Sequence, residues 1–147
     1  MQQEEENIKF IGVNELRIGG HILINDGACV IINITTSKTG KHGSAKAHIT
    51  AKNIFTDKRV EVLHSTSEMV KVPIVTKSNY TLLNIFDEVE VSLLDEFMEE
   101  KNSIAKLNGD DICDKLKKLF EEGKTVTVTV VSAMGQSRIV DCGEEKV

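Results

Sequence analysis

The stretch Thr125–Met134, TVTVTVVSAM, constrains the fold more than any other segment. Val126, Val128 and Val130 alternate with threonines, a period of two that places the valines on one face of a strand and the threonines on the other. A helix would scatter those residues around its circumference. The same period returns in SAKAHITAKNIF, where Ala45, Ala47 and Ile49 share one face and Lys46, His48 and Thr50 share the other. GGHILINDGACVIINITT predicts a strand near His21–Ile24, a turn at Asn25-Asp26-Gly27 and a strand near Cys29–Thr35, since Asp-Gly between apolar runs marks a hairpin. FTDKRVEVLH adds a turn at Thr56–Lys58 and a strand near Arg59–His64. Short strands at this spacing predict a small closed barrel.

Pro73 is the only proline, and it lies between two β-rich regions. Proline fixes its own φ and drives its predecessor towards extended geometry. This predicts a stiff connector at about residues 70–76, although a proline at the start of a strand is the plainer alternative. Beyond it come β signals at Lys77–Ile85 and Glu90–Leu94, then a helix in DDICDKLKKLFEEG. Asp110 or Asp111 can cap that helix, Ile112, Leu116, Leu119 and Phe120 fall on one face, and Gly123 closes it. A last strand near Ser137–Cys142 follows. Strands, one helix, then more strands fit a five-stranded OB-type barrel. The expected fold class is all-β with one short helix. The expected division is a flexible acidic tail over 1–12, a first barrel over 13–72 and an OB-fold domain over 73–147.

Charge is unevenly spread. Residues 1–73 hold nine Lys/Arg and eight Asp/Glu, a net of +1, whereas residues 74–147 hold nine and fifteen, a net of −6. Within 38–59, six basic residues (Lys38, Lys41, Lys46, Lys52, Lys58, Arg59) face one acid, Asp57. Such a patch on an acidic chain suits a focused anionic partner or a solvated charged face. Trp is absent, Tyr80 is the only tyrosine and there are five Phe, which leaves no aromatic stripe as a base-stacking platform of the RRM kind. Cys29, Cys113 and Cys142 are odd in number and far apart, against a zinc knuckle or a disulfide framework and in keeping with a reducing compartment. No secretory h-region or membrane-length apolar run is present, so the expectation is an intracellular, soluble protein.

The chemistry-bearing candidate is GKHG at 40–43. It is not a P-loop, because Thr35 stands where the first glycine is needed and His42 where Ser or Thr is needed. As G-x-x-G it would have to join helices to be a KH clamp, and its flanks read as strands. A catalytic lysine needs desolvation, which a turn rich in Gly, Ser and Thr does not supply. The four histidines lack metal-ligand spacing. No G-x-S-x-G elbow occurs, and no catalytic residue or metal ligand is assigned. The acidic run DEVEVSLLDEFMEE reads as a solvated face. What the glycines permit is access: without Cβ atoms, a hairpin carrying Lys41 can enter a narrow cleft. That tip could be a substrate for a modifying enzyme, a probe inserted into RNA or a plain solvated turn.

TSKTGKHGSAK, residues 36–46, closely resembles the hypusination loop of the eukaryotic and archaeal translation initiation factor 5A family. STSEMVKVP at 65–73 resembles the family's domain junction, and VTVVSAM at 128–134 its late OB strand. The resemblance implies an N-terminal SH3-like barrel and a C-terminal OB fold. It implies that Lys41 receives an aminobutyl group from spermidine through deoxyhypusine synthase, completed to hypusine by deoxyhypusine hydroxylase, with no other cofactor. Lys38, Thr39, Gly40, His42, Gly43 and Lys46 would shape the hairpin and be read by the modifying enzyme. Lys38, Lys41, His42 and Lys46 would contact RNA. The implied function is non-enzymatic: a cytoplasmic translation factor, monomer or weak dimer, that binds the ribosome near the E site. Its hypusine would reach P-site tRNA and promote peptide-bond formation, notably at proline-rich stalls, and termination. A general RNA-binding or RNA-chaperone protein needing no modification is the alternative, and an enzyme with a scattered site is a third.

Overall fold

The computed structural model describes residues 7–38, 45–107 and 109–145. The chain divides into two compact units, one ending at Val75 and the other starting at Thr76.

In the first unit β1 (Ile8–Gly12) leads into a 3-10 turn (Val13–Glu15), followed by β2 (His21–Ile24), β3 (Gly27–Lys38), β4 (Ala45–Asn53), β5 (Arg59–Ser65) and β6 (Met69–Pro73). Strands β2 to β5 form an antiparallel meander, while β1 pairs with β6. The first hairpin turns at Asn25 and Asp26, with φ of 51° and 63°. Two successive left-handed residues are what a two-residue hairpin turn demands, because that backbone matches the twist of the strands. The core is aliphatic: Leu16, Ile22, Ile31, Ala47, Ile49, Ala51, Val70 and Val72 are among its buried side chains.

Two expectations are revised here. Residues 8–12, assigned to a flexible tail, form β1, in register from Ile8 opposite Pro73 to Gly12 opposite Met69. Their run IKFIG is apolar enough to belong to a sheet, and β6 supplies the partner that makes the strand. Pro73 itself closes β6 and is no part of a connector. Pairing continues past it, since the Ile74 N–H donates to the Asn7 carbonyl at 2.8 Å.

In the second unit β7 (Thr76–Phe86), β8 (Glu90–Leu94) and β9 (Glu100–Lys106) precede helix α1 (Asp111–Glu121), then β10 (Val126–Ala133) and β11 (Gln136–Glu144). The strand order is β11-β10-β7-β8-β9, and the two end strands approach each other, curling the sheet towards a barrel. One helix between the third and fourth of five strands is the OB arrangement. Val126, Val128 and Val130 are buried to 1% exposure or less, as their alternation predicts. The acidic run is only partly solvated. Most of its charged residues are outside, yet Val91, Ser92 and Leu93 of β8 are buried in succession, across a register shift between Glu90 and Ser92, and the Ser92 hydroxyl donates to Glu100 Oε1 at 2.7 Å.

Helix α1 is bounded chemically at both ends. The Asp110 carboxylate accepts from the Cys113 N–H at 2.9 Å, an N-cap. Beyond the helix the Lys124 N–H donates to the Leu119 carbonyl and the Gly123 N–H to the Phe120 carbonyl, a Schellman motif in which Gly123 takes φ of 76°. Leu116 and Cys113 are its deepest side chains, with Ile112, Leu119 and Phe120 packed beside them.

Candidate functional site: the β3–β4 hairpin

Strands β3 and β4 are long because their alternation persists beyond the core. Pairing runs from Cys29 opposite Asn53 to Lys38 opposite Ala45, with a bulge at Ile32. Apolar backing ends sooner. Ile34 is half-buried, Thr35 to Lys38 are all exposed, and on β4, which begins at Ala45, the first buried side chain is Ala47. A ladder that outruns its core carries its last pair, Lys38 and Ala45, away from the sheet's packed part.

Register decides where the flanking cations point. Lys46 lies opposite Ser37, on the face shared with His48 and Lys52. Lys38 lies opposite Ala45, on the face shared with Thr36 and the buried Ala47. The two lysines therefore leave the hairpin from opposite faces, since successive side chains alternate. On the Lys46 face, His48 Nε2 is 3.9 Å from Glu61 Oε2 and Lys52 Nζ is 3.9 Å from Asp57 Oδ1. Both pairs are exposed, so they trim the positive patch without adding much stability.

Beneath the opposite face runs an open groove of about 550 Å³, lined by Val13, Leu16, Arg17, Ile34, Thr36 and Thr66 among others. The outer end of the hairpin thus has little underneath it and depends on its backbone partners. One is a third strand: β5 pairs with β4 up to Ser65 opposite Lys46, and the Thr66 N–H donates to the Ala45 carbonyl at 2.9 Å. The turn that follows is closed by Glu68. Its carboxylate accepts from the Ser65 N–H at 2.8 Å and from His64 Nδ1 at 2.9 Å. A carboxylate cannot donate, so the imidazole proton sits on Nδ1. The Ser65 N–H, then His64, and at longer range Lys46, hold the Glu68 carboxyl below its ordinary range. Neither Glu68 nor His64 stands out in the sequence, because their pairing depends on a turn that only the fold creates.

Of the predicted site residues, Lys38 and Lys46 are located as above. Thr39, Gly40, Lys41, His42 and Gly43 lie outside the described residues. Among the described residues no three His, Cys, Asp or Glu side chains gather as a metal site. Cys29 and Cys142 are buried, and burial pushes both thiols up, away from nucleophilic use. No helix among the described residues is long and apolar enough to cross a membrane.

Comparison with known proteins bears on the whole chain. The family model "Translation initiation factor 5A-like, N-terminal" matches residues 9–68, and "Eukaryotic elongation factor 5A hypusine, DNA-binding OB fold" matches residues 74–142. Eukaryotic translation initiation factor 5A-1 of Solanum lycopersicum is 40% identical over 128 residues, 87% of this chain and 79% of that one. Its namesake from Saccharomyces cerevisiae is 38% identical over 129 residues, 88% and 81% of the two chains. A translation initiation factor 5A family protein from Naegleria fowleri superposes with a TM-score of 0.84 at 38% identity, covering 92% of this chain and 98% of that one. The factor from Methanococcus jannaschii superposes with a TM-score of 0.74 at 26% identity, covering 93% and 96%. Two matched family models, an N-terminal half-barrel where a closed barrel was expected, a C-terminal OB fold and a hairpin ladder that outruns its core lead to one conclusion: the chain belongs to the translation initiation factor 5A family.

Proposed function

We propose that this translation factor works through hypusine formed at Lys41. Deoxyhypusine synthase transfers the aminobutyl group of spermidine to the Lys41 amine, and deoxyhypusine hydroxylase completes the residue. The observation that carries the reading is the eleven-residue motif TSKTGKHGSAK set between the paired ends of β3 and β4. Glycines at 40 and 43 flank the Lys41-His42 pair, and their missing Cβ atoms suit close approach to an enzyme cleft and later to RNA. Aminobutylation lengthens the side chain and adds a second protonatable amine, so one residue presents two positive centres.

The modified factor binds the ribosome near the E site in the cytoplasm. Lys38 and Lys46 contact phosphates from opposite faces of the hairpin, and His42 donates or stacks. Hypusine then steadies P-site tRNA and promotes peptide-bond formation, above all at proline-rich stalls, and termination. Phosphate contacts position the factor without reading sequence. Intact-mass measurement of protein from its native source tests the reading. Added mass of hypusine, mapped to Lys41, is the expected result. Plain lysine there in protein that still engages RNA would favour the general RNA-binding alternative.

A further inference from the structure

The Ser65–Glu68 turn ties two parts of the first unit to the hairpin. On one side the Glu68 carbonyl accepts from the Val13 N–H at 2.9 Å, which anchors the turn to the start of the 3-10 turn. On the other side Thr66 bonds the Ala45 carbonyl, so Ala45 is bracketed between Thr66 and its β3 partner Lys38. Ala45 is where β4 begins, directly after the connection that contains Lys41.

We propose that Glu68 is a positioning residue for modification at Lys41, acting as a latch that holds the 65–68 turn, and through it the root of the hairpin, in one orientation. The Glu68 N–H closes the turn onto the Ser65 carbonyl at 3.0 Å, and the Ser67 N–H reaches Ser65 Oγ at 3.4 Å. These contacts alone leave the Ser65 N–H without a ladder partner, since it points to the Glu68 carboxylate at 2.8 Å. Water could serve that exposed donor, but the carboxylate bridges it to His64 with a charge-assisted bond to each, and so ties the turn to the end of β5. Because the groove below Thr36 and Ala47 is open, packing does not substitute for the latch. Without it the hairpin root samples several orientations, of which the modifying enzyme accepts a fraction.

The proposal rests on the hypusine reading, and its test separates the two. Glu68→Ala and Glu68→Gln are compared with the parent protein as substrates of deoxyhypusine synthase with spermidine, and by residue-resolved amide hydrogen exchange. A smaller competent fraction raises the apparent KM in inverse proportion and leaves kcat alone. Glu68→Ala should raise KM for the protein roughly threefold to tenfold, the size expected of exposed charge-assisted hydrogen bonds, with kcat unchanged. It should also lower protection of the Thr66 amide, whose partner is Ala45 and not Glu68. Glu68→Gln keeps an acceptor for Ser65 and should fall between. A denaturation midpoint for each variant checks that the unit is folded at assay temperature. Unchanged KM with unchanged Thr66 protection overturns the latch. A loss confined to kcat also overturns it, because that would put Glu68 in contact with the enzyme's chemistry. If the parent protein is itself not modified, the hypusine reading fails, and Thr66 protection alone decides the latch.

Discussion

Arg138 Nη2 lies 3.3 Å from Asp110 Oδ2, so the residue that caps α1 is also tied to β11. One carboxylate therefore fixes where the helix begins and where it sits on the OB sheet. Partial burial by itself would raise the Asp110 carboxyl. Hydrogen bonds from the Cys113 backbone and thiol, together with Arg138, outweigh burial and leave it below its ordinary value of 3.8.

Removing this carboxylate should destabilise the second unit. Asp110→Ala deletes the cap and the contact with Arg138, for an expected loss of about 1–2 kcal/mol. A depressed carboxyl pKa stabilises the fold above the unfolded value and loses that stabilisation as pH falls through the folded value. Asp110→Asn should therefore flatten the stability profile below about pH 4 relative to the parent protein. Urea midpoints measured across acidic pH would show it, and parallel profiles would contradict it.

Lys41→Arg should leave both units folded and abolish function. Arginine keeps the positive charge, but its guanidinium, unlike an amine, cannot take the aminobutyl group. The check is growth of factor-depleted cells carrying the variant, together with a circular dichroism spectrum. Full complementation would count against a modified lysine as the working group.

Lys38→Ala and Lys46→Ala should each weaken ribosome binding and make it less salt-sensitive. Each lost phosphate contact should reduce the slope of log affinity against log salt by roughly 0.7–0.9. Because the two lysines emerge from opposite faces, the double substitution should reduce the slope by about twice that amount. Affinity that stays level across salt concentrations would remove the electrostatic part of the proposal.

Leu116→Ala should open a cavity in the OB core and cost about 2–5 kcal/mol. Leu116 has no exposed surface and belongs to the second unit's core, whereas the hairpin stands on a separate core in the first. Aminobutyl transfer to Lys41 should therefore proceed at the parent rate at temperatures where the second unit stays folded. A large drop in that rate would reveal coupling between the two cores.

Much of the architecture was readable before any coordinates. Alternation in TVTVTVV placed β10 and its inward valines, Asn25-Asp26 marked the first hairpin, and Asp110 and Gly123 bounded the helix. These are local signals, each written within a few residues. What escaped were features that need a distant partner. IKFIG is too short to be a strand alone and becomes β1 only beside β6. Glu100–Lys106, rich in charge, becomes β9 through its pairing with β8. Cys113 shares the core with Leu116 because β11 packs over that side of the helix.

The candidate site divides in the same way. The motif around Lys41, its glycines and its surrounding positive charge were set by sequence alone, because chemistry at a single amine needs only the right residues in order. Tertiary structure decided which way Lys38 and Lys46 leave the hairpin, how far the ladder outruns its core, and that the turn closed by Glu68 bonds Ala45 through Thr66. Those depend on strand register and on contacts such as Thr66 with Ala45 that join separate strands, and no local pattern encodes them.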